Sequence, residues 1–286
     1  MKLAAALLRI TNMRVPILLA LFSVLSFAQD AREIVLRSLE LDSQNERLAR
    51  SYTFVEREQV QMFDGRGRVK RTRIQTYDVT LVEGSPYRRL IARDDKPLSP
   101  KEEKKQEEKL RKSIEKRQKE TPEQRAKRIA EWEKKRRENH EPLLEIPDAF
   151  DLRLAGEEQI DGRDAWIIDA TPHPGYRPKS RMARMFTKFK GRIWIDKRDS
   201  VWVKAEAEAL DTISFGWFLA RLRTGARLSF EQTRVNDEVW LPKHAQASLS
   251  GRAALLVSFN AAVDVTYSNF RKFQANSRLV SFEPPK

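Results

Sequence analysis

The stretch GRIWIDKRDSVWVKAE, residues 191–206, decides the fold. Ile193 and Ile195 alternate with Arg192, Trp194 and Asp196, a period of two that marks a strand with one apolar and one polar face. KRDS (197–200) interrupts the alternation with turn-forming residues. Beyond it Val201, Val203, Ala205, Ala207 and Ala209 alternate with Trp202, Lys204, Glu206 and Glu208. Strands joined by so short a loop pair antiparallel, so this is a hairpin, apolar on one side and charged on the other.

The same pattern extends in both directions. YTFVEREQVQMF (52–63), the turn DGRG (64–67) and RVKRTRIQTYDVTLV (68–82) predict another hairpin, followed by a short strand over 87–93. Residues 150–159 and 163–171 flank Asp161-Gly162, a pair suited to a type I′ turn. Residues 226–235 and 239–249 flank NDE (236–238), and a last strand runs over 255–267. Some ten strands with short turns predict an α+β, mainly β fold, in which one antiparallel sheet is too wide to stay flat and curls into a half-barrel. The apolar face continues through Leu228, Phe230, Ala245, Ala247, Leu249, Val257, Phe259, Ala261, Val263 and Val265. Many of these residues are small, and native cores are close-packed, so something must fill the space over them. Two occupants fit: a helix over 30–50 lying on the concave side, with Ile34, Val35, Leu39, Leu41 and Leu48 on its apolar face, or a hydrophobic ligand.

The first 28 residues set the compartment. Lys2, Arg9 and Arg14 precede an uncharged run from Val15 to Phe27, and Ser26-Phe27-Ala28 offers small residues before Gln29-Asp30. This is the pattern of a secretory signal peptide over 1–28, with Met13 as an alternative start, and its apolar core falls short of the ~20 residues that a spanning helix needs. The expected product is a soluble periplasmic protein of residues 29–286, without lipid on its N-terminus because the chain has no cysteine. The whole chain carries a net charge of +14, and removing the three bases of 1–28 leaves +11. Outside the cytoplasm the abundant polyanions are lipid head groups and cell-wall polymers, so an anionic membrane surface is the expected partner and nucleic acid is not.

Two segments interrupt the strand pattern. Between Lys101 and Glu138 stand 16 Lys or Arg and 10 Glu residues, with few apolar side chains among them. Ser99-Pro100-Lys101-Glu102 and Thr121-Pro122-Glu123-Gln124 are capping boxes, each with proline at the first helical position. They predict two helices in a protruding charged insertion over 99–140, either a solvated arm or a place for a protein partner. TPHPGYRPKSRMARMFTKFKGR (171–192) carries seven Lys or Arg and no acid. Its spacing predicts a short basic amphipathic helix that covers the sheet or meets a membrane through Arg181, Arg184, Phe186, Lys188 and Phe189. A further apolar segment, ISFGWFLARL (213–222), reads as a buried connection or an exposed lip.

Motifs of catalysis are lacking. His140, His173 and His244 lie in separate segments with no zinc-binding spacing, and there is neither a nucleophile elbow nor a phosphate-binding loop. No cofactor, metal or catalytic residue is expected.

IDGRDAW (160–166), GRIWIDKRDSVWVKAE (191–206), YTFVEREQVQ with GRGRV (52–69) and RRLIARDDKPLS (88–99) together resemble the periplasmic lipoprotein-sorting proteins of the LolA/LolB-like superfamily. The resemblance implies an open half-barrel with helices as a lid and an apolar cavity for acyl chains. The chain departs from those carriers in its length, its charged insertion and its lack of an anchoring cysteine. The expected function is a non-catalytic periplasmic protein that binds acylated lipoproteins or lipids. Its hollow would be lined by Ile193, Ile195, Val203, Ala205, Ala207, Leu228, Phe230, Leu249, Val257 and Phe259. An envelope sensor or scaffold working through 99–140 and an envelope hydrolase are the alternatives.

Overall fold

The computed structural model describes residues 15–180, 182–215, 220–253 and 257–273. Helix α1 (Val15–Ala49) leads into β1 (Tyr52–Phe63), β2 (Val69–Val82), β3 (Ser85–Arg93) and the two-residue β4 (Lys96–Pro97). Helices α2 (Pro100–Gln118) and α3 (Pro122–His140) follow, then a 3-10 turn and the single-turn α4 (Ile146–Ala149). The rest is strand: β5 (Phe150–Ile160), β6 (Arg163–Pro172), β7 (Phe189–Asp196), β8 (Trp202–Ala209), β9 (Ile213–Phe215), β10 (Ala220–Leu222), β11 (Arg227–Val235), β12 (Val239–Ala253) and β13 (Val257–Lys272). The sheet runs β4-β3-β2-β1-β13-β12-β11-β8-β7-β6-β5, antiparallel throughout, with the β9–β10 hairpin attached to β12. It ends on β4 and β5 and is therefore open, as the wide meander predicted.

Four of its tight turns use two consecutive left-handed residues: Glu83-Gly84, Asp94-Asp95, Asp161-Gly162 and Asn236-Asp237. That backbone twist suits the flanking strands, and Gly, Asn and Asp adopt it at the lowest cost. The β7–β8 turn is built differently. Asp196 accepts hydrogen bonds from the backbone N–H groups of Arg198 and Asp199 at 3.0 and 2.6 Å, while Arg163 of β6 grips its two oxygens at 2.6 and 2.8 Å. Asp196 is 1 % exposed. Burial by itself raises its pKa, but Arg163 and the two N–H groups outweigh burial and hold it below the usual carboxylate range.

The main core forms where α1 crosses one end of the sheet. Ala31, Val35 and Leu39 of α1 pack on Ile146, on Ile168 of β6 and on Ile193 and Ile195 of β7. The helix expected over 30–50 is thus present and occupies part of the apolar face. In the structure its backbone is continuous with that of residues 15–29. Among the described residues, no helix is long and apolar enough to cross a membrane.

One strand breaks the predicted alternation. Trp194 pairs with Lys204 but Ile195 pairs with Trp202, so a β-bulge lies at Val203. The extra residue reverses the parity of β8 on either side of it. Val203 joins Trp194, Ala165, Val201 and Trp240 in a second cluster, while Trp202 turns to the α1 cluster. The expectation that Val203 shares a face with Ala205 and Ala207 is corrected by that single inserted residue.

Both capping boxes form as predicted, at Ser99 and Thr121. No residue of α2 is buried, yet the insertion is anchored. Arg117 of α2 donates to the carbonyls of Val82 and Ser85 at 2.8 and 3.0 Å. Arg128 of α3 donates to Glu83 O at 3.0 Å and Ser85 Oγ at 2.6 Å, and pairs with Glu120 at 2.6 Å. Arg136–Glu46 ties α3 to α1 at 2.9 Å, and Arg50–Glu133 ties it at 3.3 Å to the residue that follows α1. The two helices are fastened by guanidinium groups on the β2–β3 turn rather than by a core.

The basic segment before β7 does not form the predicted amphipathic helix. It has one 3-10 stretch (Ala183–Lys188) and then enters β7 at Phe189. Tyr176 donates to the buried Glu145, and His173 Nδ1 lies 2.7 Å from Asp151. These anchors hold the segment along the body in a path that a regular helix would not follow.

Two outcomes test this account. Asp196→Asn should destabilise the protein by about 3 kcal/mol in urea unfolding, the usual cost of breaking a buried charge pair. Because the folded pKa of Asp196 is depressed, its contribution is present above the ordinary carboxylate pKa and is lost as pH falls through the folded value. The variant should therefore flatten the acid side of the stability profile. The double variant Arg117→Ala, Arg128→Ala should raise amide hydrogen exchange across 100–140 and leave protection in β6 and β7 unchanged.

Candidate binding site

The register of the sheet sorts its side chains into rows that run across the strands. Gln59, Asp264, Gln246, Ser229, Glu206, Arg192, Asp169 and Arg153 are paired each to the next, from β1 to β5. Gln61, Ala262, Ser248, Arg227, Glu208 and Lys190 form a parallel row two residues away on the same face. Between them runs Val60, Val263, Ala247, Leu228, Ala207, Gly191, Ala170 and Leu152, whose side chains leave on the opposite face.

A cavity of about 1100 Å³ lies over the two polar rows and the strand backbone between them. Its charges are already matched. Asp169 joins Arg153 and Arg192 at 2.6 and 2.7 Å, and Glu208 lies 3.7 Å from Lys190 and 3.8 Å from Arg227. Asp264 accepts from Gln246 at 2.8 Å and lies 2.9 Å from His244 Nε2. Burial raises the pKa of Asp264, but these two hydrogen bonds outweigh it and leave the carboxyl below its usual range. With five acids and four bases in its lining, the wall has little net charge to recognise a ligand.

The opposite face is of another kind. Ala205, Phe230, Ala245 and Val265 form one row, and Ala207, Leu228, Ala247, Val263 and Val60 form the next. Leu249, Ala261 and Met62 add a third. Helix α1 meets β5, β7 and the start of β12, where Asn45 bonds to the backbone of Trp240 at both its amide and its carbonyl. Phe230, Leu228, Ala247, Val263 and Val265 belong to none of the four buried clusters, and Leu228 is 36 % exposed. The result is an apolar strip across β8, β11, β12, β13 and β1, with α1 at one end.

The ten residues expected to line an apolar hollow are therefore divided. Ala205, Ala207, Leu228 and Phe230 lie in the strip, as does Leu249, which also touches the cluster of Phe189, Ala209, Ile213 and Ala226. Phe259 sits half-buried on β13, and the side chain of Val257 lies outside the described residues. Ile193 and Ile195 are buried by α1 at 6 % and 0 % exposure, which removes them from any ligand surface. Val203 is on the other face because of the bulge. The cavity itself is bordered by Ala207 and Leu228 alone of the ten, and charged side chains stand among its apolar lining.

The residues expected at a membrane are also divided. Arg184 is exposed, but Lys188 is held by Asp211 Oδ2 at 2.9 Å and Thr212 O at 2.7 Å. Phe186 packs on Phe150 with ring centroids 5.5 Å apart, and Phe189 is buried. Arg181 lies outside the described residues, as do Gly216, Trp217, Phe218 and Leu219 of the apolar segment.

Sequence reading missed the aspartate beside each histidine: Asp42 for His140, Asp151 for His173 and Asp264 for His244. Each partner comes from a distant part of the chain, so no local spacing announces it. Among the described residues, no group of three His, Asp or Glu side chains is placed to hold a metal ion. Arg71 and Arg73 were also missed. Their signal was the alternation within 68–82, which puts them on one side of β2, with Met62 and Val60 as their β1 partners.

No family model matches the chain, and no curated protein does so. Among solved structures it is similar to a DUF1329 family protein from Desulfovibrio piger, at 12 % identity and a TM-score of 0.33 over 88 % of this chain and 95 % of that one. It is similar to a putative outer membrane lipoprotein-sorting protein domain from Vibrio parahaemolyticus, at 11 % identity and 0.33 over 86 % and 95 %. It is also similar to a LolA superfamily protein from Nitrosomonas europaea, at 11 % identity and 0.31 over 86 % and 94 %.

Proposed function

We propose that this chain is a non-catalytic periplasmic protein, exported by residues 1–28, that holds the acyl chains of a lipid or lipoprotein on its apolar strip. One observation carries the reading: the apolar row of Leu228 crosses five strands and that of Phe230 four, and Phe230, Leu228, Ala247, Val263 and Val265 lie outside the buried clusters formed by the described residues. A contiguous apolar surface of this kind in a water-soluble domain marks a place where something binds. Each methylene that an acyl chain withdraws from water there contributes about 0.8 kcal/mol. The alanines keep the strip low, so a chain lies close to the strands and meets carbon on both sides. The polar cavity supports no equal claim, because its acids and bases satisfy one another.

The test is displacement of a fluorescent fatty acid from the purified protein, with native mass spectrometry of material taken from an envelope fraction. Wild-type protein should bind the probe and carry copurifying lipid. Leu228→Glu, which puts a carboxylate into the strip at an exposed position, should weaken binding about tenfold or more by removing roughly two methylenes' worth of contact and charging the surface. Its thermal midpoint should stay near that of the wild type. Failure of the wild type to take up either probe or lipid would end the acyl-binding reading.

A further inference from the structure

The row of Phe230 meets Glu58 at β1, but the two rows beside it run on to β2. Val60 pairs with Arg73 of β2, and Met62 pairs with Arg71, so two successive rows each finish on an arginine of the same face. Both guanidinium groups are exposed. Arg73 lies 3.3 Å from Glu58, whose other oxygen is taken by Arg88 at 2.9 Å, and Arg88 also reaches Glu56. Three arginines therefore face two glutamates at this end of the strip. Arg71 forms no ion pair among the described residues, so the local excess of positive charge rests on it.

The other end of the strip has the opposite character. There Gly191, Ala170 and Leu152 lead toward the α1 core, with Leu152 packed against it. The strip thus has direction, greasy toward β7 and cationic at β2. From β2 to β8 the row crosses five strand spacings, about 24 Å at ~4.8 Å each, which matches the reach of one extended fatty acyl chain.

We propose that the ligand of the strip is an anionic single-chain amphiphile, with its tail laid across β1, β13, β12, β11 and β8 and its carboxylate or phosphate head on Arg71 and Arg73. This rests on the acyl-binding reading and adds to it a head-group class and an orientation. Arginine offers a fork of donors that fits either head group, and a charge-assisted hydrogen bond beside apolar surface is stronger than one in open water. A neutral head placed there would leave Arg71 without a counter-charge.

The experiment compares three ligands of equal chain length: a fatty acid, a lysophosphatidic acid and a monoacylglycerol. Each is titrated against wild-type protein, Arg71→Gln/Arg73→Gln, Arg71→Lys/Arg73→Lys and Leu228→Glu at low and physiological salt. Wild type should bind the two anionic ligands at least about tenfold more tightly than the neutral one. The glutamine pair should abolish that preference while leaving monoacylglycerol affinity unchanged, the lysine pair should keep most of it, and Leu228→Glu should weaken all three. A preference for the fatty acid or the lysophosphatidic acid alone names the head group that the site takes. Equal binding of all three ligands, unaltered by the glutamine pair, overturns the head-group assignment and leaves the acyl-binding reading standing. No binding of any ligand to the wild type overturns both. The mutated side chains are exposed, so a thermal midpoint close to wild type is expected for each arginine variant.

Discussion

The packing of α1 on Ile168, Ile193 and Ile195 is the contact on which the rest of the structure depends. A thirteen-strand open sheet has two large faces and cannot bury both within a chain of this length. Val35, Ile168 and Ile195 are completely buried, so water is excluded where β5, β6 and β7 meet the helix. Burying each such side chain stabilises the fold by about 1.5–3 kcal/mol. One helix cannot also cover β8, β11, β13 and the rest of β12. By committing itself to one end of the sheet, α1 leaves Phe230, Leu228, Ala247, Val263 and Val265 outside the buried clusters formed by the described residues.

The bulge at Val203 makes the opposite face stable enough to be a wall. With one inserted residue, β8 sends Val203 to Trp194 and Trp240 and sends Trp202 to α1, so both faces at the turn end gain a large apolar side chain. Lys204 then lies 4.5 Å over the Trp194 ring, and Arg163 lies 5.4 Å over Trp240. Such contacts add a modest electrostatic attraction to the burial. Asp196 and Arg163 close this end, and the rows above them run undisturbed across the sheet.

The strands were legible because their period is local. Ile193, Ile195 and the alanines of β8 announce a half-buried strand in a dozen residues, and Ser99 and Thr121 announce helix starts by chemistry confined to one turn. What was not legible depended on distance or on parity. Nothing near Arg117 or Arg128 foretells that they would grip the β2–β3 turn, and Tyr176 finds Glu145 only in three dimensions. A bulge changes which face a side chain occupies without changing the alternation along the chain, so Val201, Trp202 and Val203 fall on the faces opposite to those expected while Ala205 and Ala207 do not. The basic segment before β7 had helical spacing for Phe186 and Phe189, yet Phe189 belongs to a strand because pairing with Ala209 outweighs a weak local preference.

Gly191 shows how the two faces constrain each other. A Cβ added at this position would lie 3.0 Å from the Glu206 carbonyl oxygen, so any larger residue would have to push β8 back by a few tenths of an ångström. Gly191 belongs to the apolar row and Glu206 to the polar row that walls the cavity, and Arg192, next in the chain, pairs with Glu206 across the ladder. Pushing the strands apart with a methyl group would strain that pairing on one face and raise the floor of the strip on the other. Moving along the row from Gly191, the partners are Ala207, Leu228, Ala247 and Val263, small except for Leu228 and Val263. The low lane between Phe230 on one side and Leu249 on the other is thus a consequence of strand spacing as much as of residue choice. The matched charges lie behind that lane, on the other face of the same strands.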